Sequence, residues 1–179
     1  MSRNTRAYGS LLAVVLLGCI AASAQIEMQH PTGEEKNAIG VSAFIGPSLS
    51  RNAYFYGIFA EYDRLLTSKW TLGVAVDASW EPVHAAKADR SLSLTLSGGY
   101  SLTRRLSAQL LYEKEFARNG SDTNYHWQST NGDNSVGVCA SYTFWEKGRH
   151  GLALSFGLER DITASETSAN FMLGYAFSF

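Results

Sequence analysis

Between residues 37 and 179 apolar and polar side chains alternate with a period of two, and no stretch keeps a helical period. The clearest run places Trp70, Leu72, Val74, Val76, Ala78 and Trp80 on one face and Thr71, Gly73, Ala75, Asp77 and Ser79 on the other. From Ser91 to Leu102 the same rule sets Leu92, Leu94, Leu96, Gly98, Tyr100 and Leu102 against Ser, Thr and Gly. Six more segments follow it, with apolar sides from Ile39 to Ile45, Tyr54 to Tyr62, Leu106 to Tyr112, Val136 to Phe144, Leu152 to Leu158 and Phe171 to Phe179. Each spans about ten residues, the length of a tilted strand that crosses a bilayer. Eight such strands, joined as hairpins, can close on themselves and leave no unpaired edge. The pattern predicts an all-β protein, an eight-stranded antiparallel up-and-down barrel.

Two solvents are open to the apolar face of such a barrel. A soluble barrel turns that face inward and shows water a charged surface. Here the opposite face is mostly Ser, Thr, Gly and Ala, too small and uncharged for an ordinary wetted surface. Charged residues make up only 17% of the chain, below the usual ~25%. Aromatic residues also bracket the strands, Trp70 and Trp80 on one, Tyr54 and Tyr62 on another. Membrane–water interfaces select such rings at both ends of an apolar band. Lipid outside and a polar lumen inside satisfy both observations, which makes the barrel a transmembrane one.

Residues 1–24 have the layout of a secretory signal peptide: Arg3 and Arg6, an apolar centre over residues 11–17, and Ala22-Ser23-Ala24 before a cut between Ala24 and Gln25. The apolar stretch ending at Ala24 is shorter than the ~20 residues of a spanning helix. A rival cut at Leu16-Leu17-Gly18-Cys19 loosely resembles a lipoprotein site, with lipid on Cys19, although Leu17 suits that pattern poorly. If Cys19 leaves with the leader, Cys139 is the one remaining cysteine, which excludes an internal disulfide and leaves no metal ligand set. Loss of Arg3 and Arg6 leaves 13 basic against 16 acidic side chains, and no basic stripe suits nucleic acid. Residues 25–36 form a polar lead-in on the periplasmic side, and residues 37–179 form one barrel domain.

The connections supply a direction. With a periplasmic N-terminus, the turns around residues 66–68, 103–104 and 146–150 are periplasmic and short. Of the four opposite connections, residues 81–89 and 117–133 form longer loops, the second rich in turn residues. Residues 47–51 and 163–167 are short.

With these features together, the chain beyond its leader resembles the small eight-stranded outer-membrane β-barrel proteins of Gram-negative bacteria, the OmpA/OmpX-like group. The most specific local feature is the end of the chain: Gly174, then Tyr175 and Phe177 in alternation, then a final Phe179. It is similar to the terminal-strand signal that the barrel-assembly machinery recognises in that family. The resemblance implies a bacterial outer-membrane location with both termini periplasmic, a monomer, and no cofactor. It also implies outer-membrane lipids and lipopolysaccharide as partners, and a structural, surface-interaction or envelope-integrity role. The chain stops at the barrel, so the peptidoglycan tether of the longer OmpA-like proteins is not implied.

Candidate chemistry falls into three groups. Glu61, Asp63, Lys69 and Arg105 have inward parity near the periplasmic end, and Asp77, Glu113, Glu115, Glu159 and Asp161 have it towards the outer end. Such charges either pair around water-filled pockets or form an acidic vestibule that attracts cations; a narrow conducting channel is disfavoured, because eight strands leave a lumen that side chains fill. Arg90, Lys114 and Arg160 have lipid-face parity at outer strand ends, where they can reach lipopolysaccharide phosphates or snorkel to water. His126 and Ser129 are the only candidates for a lipid A deacylase-like site. That family places its His and Ser two apart on a strand, whereas a spacing of three puts these two on opposite faces. His84 and His150 fall in connections without metal-ligand spacing, and Tyr125 and Trp127 offer a loop surface to a partner.

Overall fold

The computed structural model describes residues 36–49, 53–84, 87–120, 124, 126–130 and 132–179. The leader with Cys19, the cleavage site at Ala24 and Gln25, and residues 25–35 lie outside them. The strands are β1 (Asn37–Ser48), β2 (Ala53–Leu65), β3 (Trp70–His84), β4 (Lys87–Ser101), β5 (Leu106–Asn119), β6 (Gln128–Ser129), β7 (Asn134–Lys147), β8 (His150–Asp161) and β9 (Thr167–Ser178). Eight of them are 12–15 residues long. Each long strand pairs antiparallel with its chain neighbours, β5 passes directly to β7, and β1 pairs with β9 to close the ring. The chain is thus the closed eight-stranded barrel that the alternation predicts. The short β6 adds to it, laid on Ala117 and Arg118 of β5.

The molecule is inside-out relative to a soluble protein. Among the described residues the buried apolar side chains are Ala75, Cys139 and Ala169, against buried polar Asp77, Ser93, Thr95, Ser97, Glu115 and Asn170. Val41, Ile58, Leu94, Leu96, Leu110, Leu154 and Leu173 point outward, each 42–68% exposed. A soluble monomer rarely exposes an apolar patch beyond a few hundred Å². Hydrocarbon suits such a face, and the closed ladder pairs the backbone groups that lie within it. Trp70 meets Tyr100 edge-on at 4.9 Å at one end, and Tyr56 stacks on Trp80 at 6.0 Å at the other. Ten residues of β3 separate the two tryptophans. At ~3.3 Å rise and a tilt of ~40° that is ~25 Å, the height of the apolar band of an outer-membrane-type barrel.

The start of β1 and the last residue of the chain meet at one mouth, where Asn37 N donates to Phe179 O at 3.1 Å and Phe179 N donates to Asn37 O at 2.8 Å. Three tight turns share this terminal end. Two repeat one device: Thr67 Oγ1 accepts from Trp70 N at 3.1 Å, and Thr103 Oγ1 accepts from Leu106 N at 3.0 Å. The third turns through Gly148, whose φ of 59° favours a residue without a Cβ.

The far end departs from the sequence reading. Residues 81–89 are not a long loop, because Glu81 pairs with Asp89 and His84 with Lys87. Pro82, which has no N–H to donate, still stands opposite Ala88, and the register shift between Pro82 and His84 leaves Val83 as the extra residue. Likewise β5 runs on to Asn119, into the segment read as loop, and β6 pairs back on it. His84 ends β3 and His150 opens β8, so neither lies in a connection.

The exposed apolar band makes one substitution informative. Leu94→Arg, at mid-strand on the outer face, should lower the unfolding free energy in bilayers by about 2–4 kcal/mol. Leu94→Ile should change it by less than about 1.5 kcal/mol. Urea titration of tryptophan fluorescence in phospholipid vesicles measures both.

Candidate functional site

The inward side chains of the lumen are of two unlike kinds. β1 and β2 contribute Phe44, Phe55 and Phe59, with the Phe44 and Phe55 rings 6.1 Å apart. The Phe44 ring lies where a side chain at residue 57 would stand, so that position must be glycine. This aromatic wall escapes a sequence reading because β2 carries tyrosines on its other face, and the alternation there is between two kinds of apolar residue. Acidic side chains begin beside it: Glu61 and Asp63 follow Phe59 on β2 and Asp77 pairs with Phe59 from β3, while Glu113, Glu115 and Glu159 come from β5 and β8. Among them runs a cavity of about 380 Å³, room for about a dozen waters at ~30 Å³ each.

Glu61 and Asp63 lie side by side over Gly73, and Ser97 Oγ donates to Glu61 Oε1 at 3.3 Å. Further along, Asp77, Glu113 and Glu159 come together from β3, β5 and β8. All three line the same cavity. Glu115 receives two hydrogen bonds from Arg118, Nε to Oε1 at 2.9 Å and Nη2 to Oε2 at 2.8 Å. The same Nη2 donates to Asp133 Oδ2 at 2.9 Å. This three-member ion pair closes over the far mouth.

Strict alternation from Glu113 and Glu115 turns Arg118 towards lipid. The register shift that sets Leu92 against Ala117 but Ser93 against Glu115 makes Phe116 the extra residue and brings Arg118 into the lumen. One charge departs from the inward reading. Lys69 sits in the turn before β3, where strand parity has no meaning, and its Nζ stands 5.8 Å from the ring centroid of outward-facing Tyr100. Asp161 lines the cavity, but its Oδ1 accepts the backbone N–H groups of Thr163 and Ala164, at 2.7 and 2.8 Å, and so shapes the β8–β9 turn. Arg105 is half-buried at the foot of β5, where its carbonyl accepts Thr143 N.

On the outer face, Arg90 is exposed beside Trp80 in the ladder, and exposed Arg160 donates from Nη1 to Thr167 Oγ1 at 2.9 Å. Lys114 is half-buried and pairs with Leu94 and Asn134. Lys114 and Arg160 flank β7, whereas Arg90 stands apart on β4, so the three are a dispersed rim. His126 and Ser129 are both exposed, and no hydrogen bond joins them among the described residues. Trp127 beside them is 50% exposed, and Tyr125 lies outside the described residues.

Along β9, Gly174 accommodates Ser42 of β1 where a side chain would collide with its hydroxyl. Tyr175 Oη hydrogen-bonds His150 Nδ1, and Phe177 packs 5.2 Å from the His150 ring and 6.3 Å from Phe179. These residues form an aromatic cluster at the terminal mouth.

A closed ring of eight strands, an apolar exterior between aromatic belts and a polar lumen define a small transmembrane β-barrel of the outer-membrane kind. Solved structures share the fold. Neisserial surface protein A matches over 80% of this chain and 97% of its own, with a TM-score of 0.61 and 13% identity. Ail, the attachment invasion locus protein of Yersinia pestis, matches over 82% and 99%, at 0.54 and 12%. The outer membrane protein OprG of Pseudomonas aeruginosa matches over 84% and 99%, at 0.54 and 8%. At these identities the likeness is one of fold alone. No protein-family model and no curated protein matches the sequence.

The lumenal ion pair yields a prediction. Breaking a buried pair costs roughly 3–5 kcal/mol. The Arg118 side chain is 33% exposed, so solvent screening should reduce the cost of Arg118→Ala to about 2–3 kcal/mol. Arg118→Met with Glu115→Gln should recover much of it, because the carboxylate that then loses its arginine, Asp133, is partly exposed to water. Urea unfolding in phospholipid vesicles measures both variants.

Proposed function

We propose that the protein is a non-enzymatic barrel of the bacterial outer membrane that holds lipopolysaccharide around its outer rim and contributes to envelope integrity. In this reading the mouth with both termini and the tight turns faces the periplasm, and the far mouth faces the exterior. The observation that carries it is the position of Arg90 and Arg160 on the apolar face near the far ends of their strands, while Lys114, opposite Leu94, lies deeper and reaches the rim by its long stem. A Lys or Arg at mid-bilayer of a barrel costs roughly 2–4 kcal/mol, falling to about 0–1 near an interface. Their placement keeps that cost low and brings cations to the level of lipid A phosphates, which arginine can grip with paired hydrogen bonds. Ail was solved in complex with the heparin analogue sucrose octasulfate, a precedent for a polyanionic sugar on this fold. The aromatic series of β9 ending at Phe179 supports delivery by the barrel-assembly machinery, the partner expected during insertion.

Replacing Arg90, Lys114 and Arg160 together by Gln tests the rim. A basic residue near an anionic membrane surface contributes about 1 kcal/mol. The triple variant should therefore lose most of its co-purifying lipopolysaccharide and melt lower in bilayers that contain it, with no change in plain phospholipid. Equal retention and equal melting would overturn the rim assignment.

A further inference from the structure

We propose that the lumen binds a hydrated divalent cation between Asp77, Glu113 and Glu159. The three carboxyls come from β3, β5 and β8, so only closure of the ring brings them together. Glu115, Asp161, Thr95 and Ser135 line the cavity with them. Among the described residues no lysine lines it. Of the two arginines that line the cavity, Arg118 is engaged by Glu115 and Asp133, and Arg90 is exposed near the far end of β4.

An uncharged side chain points the same way. Asn170 is 8% exposed and lines the same cavity, and its Oδ1 is buried without a hydrogen-bond partner. The amide lies over Gly157, two residues before Glu159, in space that any side chain at 157 would fill. Oδ1 of Asp77, itself 5% exposed, is buried in the same way. Leaving such acceptors dry is costly. A cation and its bound waters supply the positive charge and donors that these oxygens lack.

The geometry also limits how the ion is held. Among the described residues, no three acidic, histidine or cysteine side chains converge closely enough to ligate a bare metal. The cavity of about 380 Å³ instead has space for the ion's own water shell. Mg²⁺ dehydrates reluctantly and is commonly held through one or two carboxylates with several waters retained. Up to three negative charges without a facing cation favour a divalent over a monovalent ion. The site is independent of the lipopolysaccharide rim, which lies on the other face of the sheet.

Mn²⁺ is the probe, titrated into the protein folded in detergent micelles, with the resonance of free hydrated Mn²⁺ followed by electron paramagnetic resonance. A single saturable class is expected, displaced by excess Mg²⁺. Glu113→Gln with Glu159→Gln should weaken it by about tenfold or more, a difference of ~1.4 kcal/mol. Asn170→Ala should weaken it less, and Glu146→Gln, exposed near the terminal mouth, should leave it unchanged. A shift between cold and boiled gels confirms that each variant is a closed barrel; Asp77→Asn alone provides the comparison if the double variant does not fold. Absence of saturable Mn²⁺ binding to the folded protein would overturn the proposal, since the carboxyls would then be neutralised by protons only. Undiminished binding in the variants would overturn it equally.

Discussion

Hydrocarbon offers no partner to a backbone amide, and each unpaired N–H or C=O within it costs several kcal/mol. An open sheet of eight strands would present two edges of such groups. The pairing of β1 with β9, from Ala38 opposite Ser178 to Ser48 opposite Ser168, removes both. Gly174 lets the two strands approach with Ser42 between them. Once the ring is closed, strand length, apolar exterior and aromatic belts follow from matching it to a bilayer.

Closure at eight strands also dictates the interior. The lumen is only wide enough for side chains and a little water, so Ser, Thr and Gly dominate the inward positions and each large residue needs a small one opposite. Phe44 over Gly57, and Glu61 with Asp63 over Gly73, are two instances. Acidic groups survive there because hydroxyls and water reach them, and because Arg118 binds Glu115 and Asp133 at the far mouth.

Period-two alternation made all eight long strands legible, because a pleated strand alternates its side chains without exception until its register shifts. The misreadings lie where that premise fails. At Phe116 an extra residue reverses the parity of Arg118. At Lys69 the chain is in a turn, and beyond Pro82 the ladder steps past Val83, so alternation ends there but pairing does not. The inward direction of Asp77, Glu113 and Glu159 could be read from parity. Their meeting could not, because it depends on the register of every strand around the ring, which no single strand encodes. Asn170 gave no signal at all, since one polar residue on a polar face looks like its neighbours.

The orientation of the sheet can be read directly along β4. In a Cys139→Ser background, single cysteines at Ser93, Leu94, Thr95 and Leu96 would carry an environment-sensitive fluorophore in bilayers containing a lipid-attached quencher. Strong quenching at 94 and 96 with little at 93 and 95 is the result that an apolar exterior and polar lumen predict. The reverse alternation, or equal quenching at all four positions, would contradict it.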